Sequence, residues 1–292
     1  MTALDNIADV ERPVMHDAAQ QLGLDTTGSR LISASSRLIW HLPVDRVALT
    51  ITRPGSKTAD DIGAEVAAVR SASAGGVRTP PLLAEPIELA DSRFALPYRW
   101  IDGRAFESTD WPAGVVEAAK LARCDPEGLR RLRWPTDWPD PAWEPLLGQP
   151  LFTEISGRVH QAEQAVDDLL RVDNLVLCHG DLQPANFLVD EAGDPWLVDL
   201  EYACLTPPGW DAAKIILLAD RFGDPASYDD LLRAWGELNP RDLASCVLAQ
   251  EVQIVCWLLR MARAGGSRVE EESRARAKTL TNRHRRWRHL SG

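Results

Sequence analysis

The chain has 292 residues, 45% of them hydrophobic and 26% charged, an ordinary globular composition that excludes collagen-like, disordered and disulfide-scaffold classes. Length alone predicts about two domains or lobes. Lys and Arg number 32 against 43 Asp and Glu, a net charge of −11; that field repels phosphate backbones and anionic lipid, so neither nucleic acid nor membrane is expected as a partner, and a cationic small substrate suits it better. The five cysteines form no CxxC pair, which argues against a disulfide framework and against a zinc knuckle. The opening stretch MTALDNIADVERPVMHDAAQ carries acids where a signal peptide needs a basic region and then an apolar run, and no stretch of about 18 apolar residues occurs. A cytoplasmic protein is expected.

From Arg30 to Thr52 short β-like runs alternate with small residues and a turn at Pro43-Val44-Asp45, predicting three antiparallel strands. Thr58 then precedes ADDIGAEVAAVRSASAGG, with acids in its first turn, Ile62, Val66 and Val69 at helical spacing, and two glycines to stop it, so a helix follows. PPLLA and Phe94 to Tyr98 read as two further strands before a turn at Asp102-Gly103. Residues 1–101 are thus expected to form a small lobe with an antiparallel sheet and one helix, and residues 102–292 a larger, mainly helical lobe, an α+β class overall. Helical periodicity recurs at Val115 to Ala122, Ile155 to Leu170, Ala212 to Leu218 and Leu243 to Leu259. Between the first two lies RLRWPTDWPDPAWEP, where prolines forbid regular structure and Trp134, Trp138 and Trp143 suit either a substrate-covering loop or one pinned by its rings. Asp137, Asp140 and Glu144 in that stretch are placed either to meet an amine or to face solvent. The final SRARAKTLTNRHRRWRHL concentrates cations and reads as a solvated helix face, with anion contact or docking on the acidic body as alternatives.

The chemistry is concentrated in LVLCHGDLQPANFLVDEAGDPWLVDLEY, Leu175 to Tyr202. Two β-like runs, Phe187 to Val189 and Trp196 to Val198, flank the turn Asp190 to Asp194. Pairing them as a hairpin brings Asp181 and Asn186, before the first strand, toward Asp199 and Glu201, after the second. Such an oxygen-rich set suits Mg²⁺, which takes one or two carboxylates and completes its shell with water and phosphate. A zinc-type reading of Cys178, His179 and Asp181 lacks a second His or Cys cluster.

HGDLQPANFL resembles the HxDxxxxN catalytic loop of the aminoglycoside phosphotransferase and choline kinase families, and VDLEYACLTPPGWDAA resembles the metal-binding segment that follows it there. The resemblance is densest from His179 to Asp211. It implies a two-lobed protein-kinase-like fold and transfer of the γ-phosphoryl group of ATP, with Mg²⁺, to a hydroxyl of a small molecule of aminoglycoside, amino sugar or amino alcohol type. It implies Asp181 as the base, Asn186 and Asp199 on the metal, and Glu201 on a second metal or the substrate. His179 would support the metal segment from below and Asp211 would tie down the catalytic loop. In the small lobe it implies Glu65 as the helix carboxylate of a basic pair, Ser35 and Ser36 at the phosphates, and backbone groups of Arg99 and Ile101 at the adenine edge. The family's basic strand residue falls on Thr50. Arg53 and Lys57 are the nearby cations expected to replace it, Arg53 only if the strand bends. A missing phosphate cation keeps a second class open, a nucleotide-binding pseudokinase acting through a partner protein.

Overall fold

A computed structural model describes residues 3–171, 174–223, 228–263, 267–280 and 286–288. Helix α1 (Ala3–Leu22) leads into β1 (Arg30–Ala34), β2 (Arg37–Leu42) and β3 (Val47–Thr52), and α2 (Ala59–Ala74) is followed by β4 (Ile87–Glu88) and β5 (Phe94–Arg99). These five strands make one antiparallel sheet of order β1-β2-β3-β5-β4. Its strands alternate. Leu38, Trp40, Leu42, Leu49 and Ile51 turn to one face, where Met15 of α1 is buried with them. Arg12 of the same helix stands over the Trp40 ring, 5.5 Å from its centroid. The opposite face carries Arg37, Ile39 and His41 of β2 beside Thr52, Thr50 and Ala48 of β3, paired in that order.

Two sequence expectations are corrected here. The sheet region holds a second helix, α1, whose buried Ala8, Met15, Ala18 and Ala19 recur at helical spacing. PPLLA forms no full strand: its prolines lack N–H donors, and it contributes an isolated bridge from Leu82 to Tyr98 while the short β4 takes the sheet edge.

After β6 (Gly103–Ala105) come α3 (Trp111–Ala119), α4 (Glu144–Leu147), α5 (Gln149–Leu170), β7 (Val176–Cys178), β8 (Phe187–Asp190), β9 (Pro195–Leu197), β10 (Cys204–Thr206), α6 (Trp210–Phe222), α7 (Tyr228–Trp235), α8 (Pro240–Ala262) and α9 (Ser267–Thr279). Strands β6, β8 and β9 form a small antiparallel sheet, and β7 pairs with β10. Helices α5, α6 and α8 enclose the largest apolar cluster. Of the described helices only α8 is long and apolar enough to cross a membrane, but most of its apolar stretch is packed inside the protein, as a core helix would be.

Trp134, Trp138 and Trp143 pack against the α5–α8 core, so the proline-broken loop is pinned by its rings. Asp137 pairs with Arg260 of α8, and Asp140 with Arg263, just past the end of that helix, at 2.8 Å; these acids are already matched, and Glu144 is exposed. The basic C-terminal segment is solvated on one side where it is described, at Arg274, Lys278, Arg286 and Arg288, and packed on the other. Ser273, Arg276 and Thr279 are buried, Arg276 bonds Glu272 at 2.9 Å, and the Trp287 indole donates to Thr279 Oγ1 at 3.0 Å. Residues 281–285 and 289–292 of that segment lie outside the described residues.

Helix α2 carries Glu65, and its start is fixed by a capping box. Thr58 Oγ1 accepts from Asp61 N at 3.2 Å while the Asp61 carboxylate accepts from Thr58 N at 3.0 Å. Thr58→Ala is expected to cost about 1 kcal/mol of folding stability, measured by urea denaturation; an unchanged midpoint would show that the cap contributes nothing.

Candidate active site

The loop between β7 and β8 is held from behind by α6. Asp211, in the first turn of that helix, accepts from His179 N at 2.7 Å and from Gly180 N at 3.2 Å. Burial pushes the Asp211 carboxyl above its ordinary range, opposed by the nearby His179 and by these two backbone donors. His179 is fully buried and its Nε2 lies 2.9 Å from Val198 O. A carbonyl only accepts, so Nε2 carries the proton, and Nδ1 is left to accept from Asp181 N at 3.4 Å. Gly180 has φ +83°, and a Cβ there would stand 2.3 Å from Tyr202 O. Only glycine lets the two segments approach this closely.

Asn186 closes the same loop. Its Nδ2 donates to Asp181 O at 2.8 Å and reaches Asp181 Oδ2 at 3.3 Å, an arrangement that leaves Oδ1 of the amide as its acceptor. Val198 N donates to Asn186 O at 3.0 Å. The hairpin β8–β9, in register from Phe187↔Leu197 to Val189↔Pro195, thereby brings Asp199, the residue after Val198, to the end of the strand pair where Asn186 lies. Gln183 Nε2 and Lys214 Nζ complete the contacts of Asp181, at 2.8 Å from Oδ2 and 3.3 Å from Oδ1.

Asp199 differs from every other acid of the site. It occupies the left-handed region, φ 63° and ψ 61°, which costs a non-glycine residue about 1–2 kcal/mol. Among the described residues no hydrogen bond or ion pair engages its carboxylate. Its surface is open to solvent, yet the surrounding protein displaces bulk water, and this, reinforced by the charge of Glu201, pushes its pKa up to about 6. Arg37 and His179 oppose that rise. An oxygen anion in this condition calls for a cation.

Glu201, expected on a second metal or the substrate, is engaged here by cations of the chain itself. Its carboxylate is buried and shared by Arg37, at 2.9 Å from Nη2, and Lys57, at 3.0 Å. Lys57 also stands 4.9 Å from the centroid of the Tyr202 ring. Among the described residues no three His, Cys, Asp or Glu side chains converge as a metal site. The donors that remain, Asp199 and the Asn186 amide oxygen, fit a hard ion that takes few protein ligands and fills its shell with water and phosphate.

The partner of Glu65 is Arg37, a residue sequence reasoning passed over. Its Nη1 and Nη2 bond the two carboxylate oxygens at 2.8 and 2.6 Å, and Tyr98 OH donates to Glu65 Oε1 at 2.5 Å. The guanidinium is held firmly protonated: burial works against its charge, but the bonds and charges of Glu65 and Glu201 outweigh it. Arg53, one of the expected substitutes, instead donates to Ala34 O at 2.8 Å and to Ser35 O at 3.3 Å. Ser35 and Ser36 are exposed at the β1–β2 turn, so that turn is tied down by Arg53. Arg99 N donates to Pro81 O at 3.0 Å and is not available to a purine edge. The Ile101 backbone has no hydrogen-bond partner among the described residues. His41 and Trp100 stack beside it at 3.9 Å between ring centroids.

Residues 30–246 match the phosphotransferase enzyme family. The chain belongs to that family. Solved structures share its fold. An amicoumacin kinase in complex with AMP-PNP, Ca²⁺ and Ami superposes with a TM-score of 0.73 at 14% identity, over 92% of each chain. Choline kinase from Streptococcus pneumoniae gives 0.65 at 16%, over 94% of this chain and 99% of that one. The GDP and kanamycin complex of an APH(2") enzyme gives 0.67 at 17%, over 93% and 98%. No curated protein matches the sequence. The fold is therefore the two-lobed, kinase-like arrangement of these phosphotransferases. The vacancy at Thr50, the ground for a pseudokinase, is answered by a buried arginine on the neighbouring strand.

A carboxyl whose pKa is raised by folding weakens the fold as it ionises, so its destabilising effect is absent below the unfolded value of about 4 and full above about 6. Asp199→Asn removes that effect. Its melting temperature in the absence of nucleotide and metal should equal that of the parent near pH 4 and exceed it increasingly up to pH 6 and above. A constant difference across that range would contradict the raised pKa.

Proposed function

We propose that this phosphotransferase is a small-molecule O-kinase of the cytoplasm, moving the γ-phosphoryl group of ATP to a hydroxyl of an aminoglycoside-, amino sugar- or amino alcohol-like acceptor. The observation that carries it is the closure of the 179–186 loop on the 198–201 segment, which gathers Asp181, Asn186 and Asp199 in one neighbourhood. Residues 1–101 act as the nucleotide-binding lobe and 102–292 as the catalytic and acceptor-binding lobe.

Asn186 and Asp199 would hold Mg²⁺, whose charge offsets that of the triphosphate. Asp181 orients the acceptor hydroxyl and takes its proton as the hydroxyl oxygen bonds to the γ-phosphorus and the bridging oxygen leaves with ADP. Arg37, fixed by Glu65, presents positive charge to the phosphates from β2. The backbone of Ile101 and the carbonyl of Arg99 face the base. His179 and Asp211 keep the loop rigid, so that little reorganisation is needed at the moment of transfer. Complexes of family-fold neighbours with AMP-PNP and with GDP support nucleotide use. Because Asp137 and Asp140 are matched by arginines, a positive charge on the acceptor is recognised elsewhere or not required.

Two experiments test this. Calorimetric titration with ATP and Mg²⁺ should show Mg²⁺-dependent nucleotide binding that Asp199→Ala abolishes, and turnover in a screen of aminoglycosides, amino sugars, macrolides and amino alcohols should require Asp181. Nucleotide binding without turnover toward any acceptor, and without any effect of Asp181→Asn, would sink the enzyme reading. Separately, Arg37→Ala should lower kcat/KM for ATP by about 100-fold or more, since it removes a phosphate cation and strands two buried carboxylates. Thr50→Lys should give no gain, because Arg37 already fills that role; an increase in rate would show that it does not.

A further inference from the structure

Lys214 is a buried cation that no part of the family match singles out. It lies one turn beyond Asp211 on α6, so the two side chains share the face turned to the catalytic loop. Its neighbours Ala212, Ala213, Ile215 and Leu217 are buried, and Lys214 itself is 9% exposed. An apolar side chain would suit this stretch better, because a buried ammonium is costly unless an anion and hydrogen bonds compensate it. Among the described residues its one ion-pair partner is Asp181, at 3.3 Å from Oδ1. Oδ2 of the same carboxylate is held by the amides of Gln183, at 2.8 Å, and Asn186, at 3.3 Å. The base is therefore gripped at both oxygens, by two neutral donors on its own loop and by one charged donor from the helix behind it.

We propose that Lys214 is a positioning residue for phosphoryl transfer: it fixes the orientation of the Asp181 carboxylate and offsets its charge against the incoming triphosphate. This rests on the O-kinase reading. In the transfer step the acceptor oxygen bonds to phosphorus, the bond from phosphorus to the ADP oxygen breaks, and the hydroxyl proton passes to Asp181. Two anions, carboxylate and γ-phosphate, must flank one hydroxyl for this to occur. A cation already paired to the carboxylate reduces their repulsion.

The test uses the full chain as Lys214→Met, Lys214→Gln, Lys214→Arg, Asp181→Asn and the double variant Asp181→Asn/Lys214→Met. Turnover is measured with Mg·ATP and the acceptor found by the screen, or with water as acceptor. Lys214→Met should lower kcat about 100-fold with KM for ATP within about threefold. Lys214→Arg should restore about a tenth or more of the parent rate. In the Asp181→Asn background Lys214→Met should change kcat by less than about threefold, since the group it positions is gone. If Lys214→Met does not fold, as judged by its melting transition, Lys214→Gln makes the same comparison. Near-parental kcat in Lys214→Met or Lys214→Gln, with Asp181→Asn reduced to a low residual rate, overturns the inference and leaves the kinase reading standing. Equal losses in both backgrounds also overturn it, because they mark a purely structural role. A parent chain with neither turnover nor Mg·ATP binding overturns both.

Discussion

One buried guanidinium organises the space between sheet and catalytic segment. Arg37 extends from β2 to both oxygens of Glu65 on α2, at 2.8 and 2.6 Å, and to Glu201 behind Asp199, at 2.9 Å. A charge this far from water is tolerable only with its partners in place, so each member depends on the other two. Tyr98 extends the assembly. Burial, then the charge and hydrogen bond of Glu65, push its hydroxyl well above the usual range, so it stays a donor to Glu65. Lys57 balances the second carboxylate of the three-residue core. The position of α2 relative to the sheet and that of the 200–202 turn relative to α2 are thus set by one electrostatic unit, with Arg130 joining Asp61 to the Glu201 carbonyl at 3.0 and 2.8 Å.

The 179–186 loop follows a different logic, that of fixation from behind. A single carboxylate, Asp211, receives two consecutive backbone N–H groups, and the buried His179 ring spans from the loop to Val198. Neither contact needs to face a substrate. Their effect is to pin the chain at 179–181 against the segment ending in Asp199, with Gly180 close on Tyr202. The side chains of Asp181 and Asn186 then project from a backbone tied down from behind, which is what the proposed transfer would need of positioned charge.

The sequence made the hairpins and the site's spacing readable because both are local. Apolar alternation marks β2 and β3, the turn at Asp190 to Asp194 marks β8–β9, and the interval from Asp181 to Asn186 lies within one loop. Arg37 was missed for a reason that is physical. Alternation along β3 points only to residues of that strand, whereas a sheet offers the same face from the neighbouring strand. The turn at residues 43–46 fixes Ile39 opposite Thr50 and Arg37 opposite Thr52, so counting pairs across the hairpin places Arg37 on that face. Lys214 carried a weaker signal, a lysine within an otherwise apolar helical stretch. Helix α1 was obscured by Pro13 and by many polar residues, and α9 by a sequence whose burial depends on Arg276–Glu272 pairing that no hydrophobic pattern shows.

The two acids that close the hairpin segment, Asp199 and Glu201, show how the same residue class is driven to opposite tasks by its surroundings. Glu201 has two cations within 3.0 Å and is buried, so its charge is satisfied by the protein and its function is cohesion. Asp199, two residues away, is crowded by protein, repelled by Glu201, held in a left-handed backbone conformation and paired to nothing among the described residues. Folding has placed an anion where it is unfavourable and has strained the chain to keep it there. Strain of this kind persists where the surrounding structure holds it, and it gathers at functional sites. A divalent ion carried by a triphosphate removes the electrostatic part directly. On the proposed kinase reading a metal would therefore sit at Asp199 and Asn186, since at Glu201 two cations would have to be displaced first.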